Sequence, residues 1–165
     1  MKTLLLMRHA KSSWKDESLA DLERPLNNRG SRDTPFMGKL LRERRIQPDA
    51  LISSPAVRAM TTARVIAGEL RFDPAGIRAD KVLYQGDTPA MIEMISRTDA
   101  ACGTILLVGH NPGITLLANR LSDSSIEHFS TCAVACFRFE IDSWNMLANS
   151  PGKLEFFERP KKYFR

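Results

Sequence analysis

The amino-acid sequence predicts an α/β protein, a three-layer α/β/α sandwich with a mostly parallel central sheet and an antiparallel C-terminal addition. Short apolar runs of strand length alternate with segments of helical periodicity, which is typical of a parallel sheet covered by helices on both faces. Near the C-terminus the pattern changes to two alternating segments, which favours an antiparallel strand pair. We expect residues 1–165 to form a single domain, since the chain has no repeat and no low-complexity linker.

Five segments are predicted as strands. Residues 3–7, 49–53 and 104–108 are continuous apolar runs with polar or turn residues on either side, which suits central strands buried on both faces. Residues 133–141 and 154–156 alternate apolar and polar side chains and are joined by a polar connection. The three central strands are therefore expected in the parallel part of the sheet, and the last two in the antiparallel part.

Four helices are predicted from apolar stripes at three- and four-residue spacing. The first covers residues 34–44, the second follows the strand at 49–53, the third begins near Thr88, and the fourth follows the strand at 104–108. Their predicted buried residues are Phe36, Met37, Leu40 and Leu41; Met60, Ala63, Ala67 and Leu70; Met91, Ile92 and Ile95; and Ile114, Leu117, Ala118 and Leu121.

Two of these helices have recognisable start signals. Ser54 is predicted as the N-cap of the second helix, with Pro55 as its first helical residue, and Asn111 and Pro112 are predicted in the same roles for the fourth. Both helix starts therefore come directly after a central strand.

Composition narrows the range of functions. Lys and Arg number 24 against 19 Asp and Glu, a net charge of +5 that favours anionic partners. Nucleic acid is the weakest such partner, because no aromatic platform is interleaved with the basic residues. The apolar runs are too short to span a bilayer, and we expect no signal peptide and no membrane association.

The cysteines indicate a reducing compartment. Cys102, Cys132 and Cys136 are odd in number and lack the paired spacing of a zinc site or a disulfide framework. We therefore expect a cytoplasmic protein without a structural metal.

Four side chains capable of phosphate chemistry follow the three central strands. Arg8 and His9 come directly after the first, Arg58 lies in the first turn of the helix after the second, and His110 follows the third. Each residue alone is commonly structural. Because parallel strands place their carboxyl ends at one edge of a sheet, the four should converge. Guanidinium forks and helix N-termini bind phosphoryl oxygens, so a phosphoryl group could be held there without a metal.

Three blocks around these residues resemble the histidine phosphatase (phosphoglycerate mutase-like) superfamily. They read RHAKS at 8–12, SSPAVRA at 53–59 and GHNPG at 109–113, and Ala10 replaces the usual glycine after the histidine. Block order, spacing and the segment DLERPLNNRG at 21–30 are most similar to SixA-type phosphohistidine phosphatases. The resemblance covers nearly the whole chain.

The resemblance implies roles for the matching residues. His9 would be the nucleophile that becomes transiently phosphorylated, and Arg8, Arg58 and His110 would hold the phosphoryl oxygens and stabilise transition-state charge. Attack requires an unprotonated nitrogen, and a hydrogen bond from the other ring nitrogen to a backbone carbonyl would fix that tautomer. The neighbouring arginines should also disfavour the protonated ring.

Two further residues have open roles. Arg24 would supply another phosphate contact or form a helix-flanking salt bridge. Ser12 would hydrogen-bond a phosphate oxygen or serve as an ordinary loop serine.

The segment at 81–87 bears on the substrate. Ester-cleaving members of the family usually carry a glutamate or aspartate general acid here, but the segment KVLYQGD has no glutamate at the expected place. Asp87 could act as the acid, although it also suits a cap before Pro89. An alkoxide needs a proton to leave, whereas imidazole leaves more easily from phosphorus. The sequence therefore favours a protein phosphohistidine over a sugar phosphate.

The sequence leaves two alternative functions open. One is a general small-molecule phosphomonoesterase of the same superfamily, and the other is a phosphate-binding module without turnover. We expect no cofactor, a monomer, and a partner that is either a phosphohistidine-bearing protein or a small phosphorylated molecule.

Overall fold

The computed structural model describes residues 1–164, which contain one six-stranded mixed sheet. Its strands are β1 (Lys2–Arg8), β2 (Ala50–Ser53), β3 (Arg78–Ala79), β4 (Thr104–Gly109), β5 (Val134–Phe139) and β6 (Lys153–Glu158). In space they are ordered β3-β2-β4-β1-β5-β6. The pairs within β3-β2-β4-β1 are parallel, and the pairs β1-β5 and β5-β6 are antiparallel. This confirms the mostly parallel α/β sheet and its C-terminal addition.

Helices cover both faces of the sheet. They are α1 (Asn28–Glu43), α2 (Val57–Glu69), α3 (Val82–Gln85), α4 (Thr88–Ser96) and α5 (Gly113–Leu121). Side chains of β1 alternate between the faces: Leu5 and Met7 pack with α1 and α2, whereas Leu4 and Leu6 pack with α4 and α5. All four are fully buried, as predicted for a strand between two layers of helices.

The start predicted for the first helix, at residue 34, is wrong, because α1 begins six residues earlier. The side-chain oxygen of Asn27 accepts a hydrogen bond from the Gly30 N–H at 2.9 Å and caps the helix there. Pro35 lies inside the helix and cannot donate to the Ser31 carbonyl.

The predicted caps of the second and fourth helices are also wrong. α2 begins two residues later than predicted, and the Ser54 hydroxyl accepts from the Ala56 N–H, 3.2 Å away, in the turn before the helix. α5 begins one residue later, and the side chain of Asn111 bonds to other partners instead of capping it. Its amide donates to the Phe129 carbonyl, and its oxygen accepts from the Thr115 hydroxyl.

The third predicted helix is confirmed as α4. The carboxylate of Asp87 accepts from the Ala90 N–H at 2.9 Å and caps the helix, and Met91, Ile92 and Ile95 are buried. Within residues 1–164, none of the helices combines the length and apolarity needed to cross a membrane.

Candidate active site

The carboxyl ends of β1, β4 and β2 form one edge of the sheet, because these parallel strands are neighbours. His9 follows β1, His110 follows β4, and Arg58 is the second residue of α2, which comes after β2. Together with Arg8 at the end of β1, they line one cavity of about 470 Å³. The structure thus brings together the four residues that the sequence places near the three strand ends.

The His9 ring is buried and held in one tautomer. Only 6% of the residue is exposed, and Nδ1 lies 2.7 Å from the carbonyl oxygen of Ala10. A carbonyl can only accept, so Nδ1 carries the proton and Nε2 keeps its lone pair when the ring is neutral. Burial lowers the pKa of His9 to about 3; the hydrogen bond to Ala10 opposes this shift, and the charges of Arg58 and Arg8 add to it. The His9 ring is therefore neutral at pH 7.

His110 lies beside His9, with 4.8 Å between the ring centroids. Its Nε2 is 2.7 Å from the hydroxyl oxygen of Ser54, the residue that directly follows β2. Burial lowers the pKa of His110 to about 4, and Arg58 contributes to this shift. A second neutral imidazole, able to act as a neutral hydrogen-bonding group, thus faces the cavity.

The guanidinium groups of the half-buried Arg8 and the buried Arg58 complete the predicted set. Arg8 donates from Nη1 to the Phe129 carbonyl at 2.9 Å. Arg58 is 5% exposed and donates from Nη1 to the backbone carbonyl of Asp21 and from Nη2 to its carboxylate. The Nε atoms of both arginines are buried and have no hydrogen-bond partner within the described residues. Buried donors are normally bonded, so each of these groups has capacity for an additional acceptor.

Arg24 and Ser12 also line the cavity and contact one another. Arg24 donates from Nη1 to the Ser12 hydroxyl at 2.7 Å and from Nε to the Asp21 carboxylate at 3.2 Å. Its guanidinium carbon stacks 3.5 Å from the ring centroid of Trp14. Arg24 therefore forms the local salt bridge considered from the sequence and also faces the cavity.

Asp21 and Tyr84 belong to the site but are not among the residues predicted from the sequence. The Asp21 carboxylate accepts from Arg24, from Arg58 and, at 2.7 Å, from the Tyr84 hydroxyl. The Tyr84 bond is the main factor holding the pKa of Asp21 at about 2, and the two arginines add to it. The sequence contains little that would predict these contacts, since Asp21 is 37 positions from Arg58 and 63 positions from Tyr84.

The cavity is strongly electropositive. Its described lining includes one acid, Asp21, and four permanent cations, which are Arg8, Lys11, Arg24 and Arg58. Such a cluster around two neutral imidazoles suits a small dianion with tetrahedral oxygens. Among residues 1–164 no group of three or more His, Cys, Asp or Glu side chains is placed to share a metal ion.

Both cavity histidines should remain uncharged well below neutral pH. In the folded protein, the pKa values of both histidines lie below the ordinary value of about 6.5. As the pH falls from about 6.5 to about 4, the unfolded chain therefore binds more protons than the folded chain. The free energy of unfolding should therefore decrease over this interval. NMR titration of the imidazole C–H resonances should show no midpoint near 6.5 for His9 or His110 in the folded protein. The same rings in urea-unfolded protein serve as the control, and a folded-state midpoint near 6.5 contradicts the buried, neutral state.

Comparison with known proteins identifies the family. Residues 4–83 match the model of the histidine phosphatase superfamily (branch 1). An uncharacterised chloroplastic protein of Arabidopsis thaliana is 31% identical over 171 aligned residues, covering 96% of this chain and 78% of the relative. An uncharacterised protein of Mycobacterium tuberculosis is 34% identical over 142 residues, covering 80% and 86%. The chain belongs to the histidine phosphatase superfamily.

Solved structures show which members it resembles in fold. A protein of Nakamurella multipartitia assigned as the phosphohistidine phosphatase SixA superposes with a TM-score of 0.82 at 25% identity, over 96% of each chain. The protein histidine phosphatase SixA in complex with tungstate gives 0.83 at 20% identity, over 97% of this chain and 98% of that one. The protein is a phosphatase with a SixA-like fold.

Proposed function

We propose that this phosphatase removes the phosphoryl group from a phosphohistidine of a partner protein, through a covalent phosphohistidine on His9. The observation that carries the proposal is the neutral His9 ring. Its Nδ1–H is bonded to Ala10, and its Nε2 lone pair is free beside Arg8 and Arg58. A module that only binds phosphate has no use for such a nucleophile, so catalysis is favoured over binding alone.

The proposed reaction has two displacements at phosphorus. In the first, Nε2 of His9 forms a bond to phosphorus while the phosphorus–nitrogen bond of the substrate breaks and its electron pair returns to the leaving imidazole. In the second, a water oxygen forms a bond to phosphorus while the bond to His9 breaks and its electron pair returns to Nε2. The protons of the water remain on the released inorganic phosphate or pass to solvent. Guanidinium groups of Arg8 and Arg58, with the ring of His110, would hold the equatorial oxygens, the role that a metal ion fills in other phosphoryl-transfer enzymes.

The carboxylates support phosphohistidine as the substrate. Asp87, the acid considered from the sequence, uses its carboxylate to cap α4, and it lines an adjoining cavity with Tyr84 and His110 rather than the cavity that contains His9. Asp21 does line the cavity, but its low pKa keeps it ionised at neutral pH, so it has no proton to donate. An alkoxide leaving group would lack the acid that it needs, whereas imidazole does not require one. The relatives of similar fold named for phosphohistidine agree with this choice.

Rates on two substrates with different leaving groups test the proposal. We expect kcat/KM for a peptide carrying one phosphohistidine to exceed that for an alkyl phosphate by about 10²-fold or more, since a positioned acid contributes roughly 10²–10⁴ to reactions that need one. The uncatalysed rate of each compound is measured in parallel, because phosphohistidine is the more labile. An enzymatic preference for the alkyl ester would instead identify a general phosphomonoesterase.

A further inference from the structure

The ionised Asp21 at the mouth of the cavity does not itself bind phosphoryl oxygens, because like charges repel. The cavity has a buried end at His9, which is 6% exposed, and an open end where the Asp21 side chain is 49% exposed and Trp14 is 70% exposed. Asp21 therefore lies on the solvent side of the cavity, among the cations that would otherwise make this opening uniformly positive.

In-line displacement places the leaving group at this open end. The attacking and leaving atoms lie roughly in line on opposite sides of phosphorus. With His9 attacking from the buried end, the leaving group points towards the mouth, where the Asp21 carboxylate lies.

The Asp21 carboxylate has capacity for one more donor. Two carboxylate oxygens offer about four lone-pair sites. The described contacts use three: Arg58 and Tyr84 donate to Oδ2, and Arg24 donates to Oδ1. The remaining site is on Oδ1, and the side chain is exposed enough for a substrate group to reach it.

A phosphohistidine presents a matching donor. When one ring nitrogen carries the phosphoryl group, protonation of the other makes the ring a good leaving group, because it departs as neutral imidazole rather than as an anion. His9 has the same need in the second displacement, and there the Nδ1–H is bonded to the carbonyl of Ala10. The phosphoryl group thus passes between two imidazoles, each of which needs an acceptor for its distal N–H.

We infer that Asp21 is the specificity-determining residue for the leaving group, accepting a hydrogen bond from the distal N–H of the substrate imidazole, an inference that rests on the proposed function. Atoms and charge balance in this step. The bond between His9 Nε2 and phosphorus forms, and the bond between phosphorus and the substrate nitrogen breaks. The electron pair stays on the departing imidazole, whose distal proton remains in place on the bond to Asp21. No proton is transferred, so an ionised carboxylate is the required form.

The test compares two substrates that share the phosphoryl group but differ in the leaving group. One is a peptide carrying one phosphohistidine, and the other is p-nitrophenyl phosphate, whose leaving phenolate has no N–H to donate. If an Asp21 variant no longer held Arg24 and Arg58 in position, the rates on both substrates would fall together, because both substrates bind these arginines through the same phosphoryl oxygens. The kcat/KM for the phosphohistidine peptide divided by the kcat/KM for p-nitrophenyl phosphate therefore isolates the contact to the leaving group.

We expect Asp21→Asn to lower this ratio by about 10- to 100-fold, the usual worth of a hydrogen bond to a charged group. Asp21→Glu should recover part of the ratio, since it restores the ionised acceptor. Glu23→Gln is the matched control: Glu23 is an exposed acid in the same short 3₁₀ helix (Asp21–Glu23) and lies outside the described cavity lining, so its ratio should equal that of the wild type.

Two other outcomes are decisive. An Asp21→Asn variant that lowers both rates by the same factor, with wild-type protein active on the phosphohistidine peptide, overturns the role of Asp21 and leaves the proposed function standing. Wild-type protein without activity on the peptide overturns the proposed function, and the inference with it.

Discussion

Replacement of His9 by alanine should abolish measurable turnover of a phosphohistidine peptide, with a loss in kcat on the order of 10⁴-fold or more. The reason is chemical, since the variant has no imidazole nitrogen to form the covalent intermediate. Binding of inorganic phosphate, followed by calorimetry, should stay close to the wild-type level because Arg8 and Arg58 remain. Steady-state rates on the peptide give the size of the loss.

Controls separate lost chemistry from lost structure. His9 is buried, so alanine leaves a cavity and frees the Ala10 carbonyl; His9→Gln, which is closer in volume, should be equally inactive. His128 is an exposed histidine outside the described cavity lining, and His128→Ala should retain full activity. A folded His9→Ala protein that turns over the peptide at the wild-type rate would show that another group attacks phosphorus.

Arg58→Ala should lower kcat/KM by about 10³-fold, within the range found when an arginine or donor that stabilises transition-state charge is removed. Arg58 is buried at the start of α2 and contacts both the carbonyl and the carboxylate of Asp21, so its fork has one fixed orientation. Arg58→Lys should restore little of the rate, because a lysine ammonium cannot reproduce the two-pronged geometry. Single-turnover rates with the phosphohistidine peptide provide the measurement.

Arg64→Ala is the matched control for Arg58→Ala. Arg64 is an exposed arginine on the same helix, outside the described cavity lining, and its removal changes the net charge by the same amount. If both variants lost the same modest activity, the effect would come from overall charge rather than from a contact with the phosphoryl group. Thermal unfolding of both proteins shows whether the Arg58 variant is still folded under assay conditions.

The central sheet could be predicted because its signals are local. The strands β1, β2 and β4 are short apolar runs buried on both faces. Strand β3 and helix α3 have no such signal, since they span two and four residues and bury little. Their positions depend on pairing with β2 and packing near β4, which no local pattern in the sequence specifies.

Helix starts were harder to predict than helix existence because capping side chains have competing uses. Ser54 and Asn111 have the residue types of N-caps, but in the folded protein they bond to His110 and Phe129 across the site. Asn27 is a true cap, and the predicted start at residue 34 overlooked it. Local propensity cannot distinguish these cases, because the alternative partners are distant in sequence.

Some residues of the active site could be predicted from the sequence for the same reason, and others could not. His9, Arg58 and His110 were recognisable because they follow predictable strands whose ends must meet. Asp21 and Tyr84 lie in two short helices, the 3₁₀ helix Asp21–Glu23 and α3. Their importance comes from the contact of Asp21 with Arg58 and from the hydrogen bond between Asp21 and Tyr84. A carboxylate among basic residues is ordinary in sequence, and its ionised state in the cavity follows only from the folded geometry.

Trapping of the phosphorylated enzyme decides whether His9 forms the covalent intermediate. Enzyme mixed with excess phosphohistidine peptide is quenched within milliseconds in alkaline denaturant, which preserves phosphorus–nitrogen bonds, and then digested for mass spectrometry. We predict one added phosphoryl group on the segment that contains His9, absent from His9→Ala protein treated in the same way. Rapid phosphate release with no phosphoryl group on His9 at any time point would contradict the proposal and indicate direct attack by water.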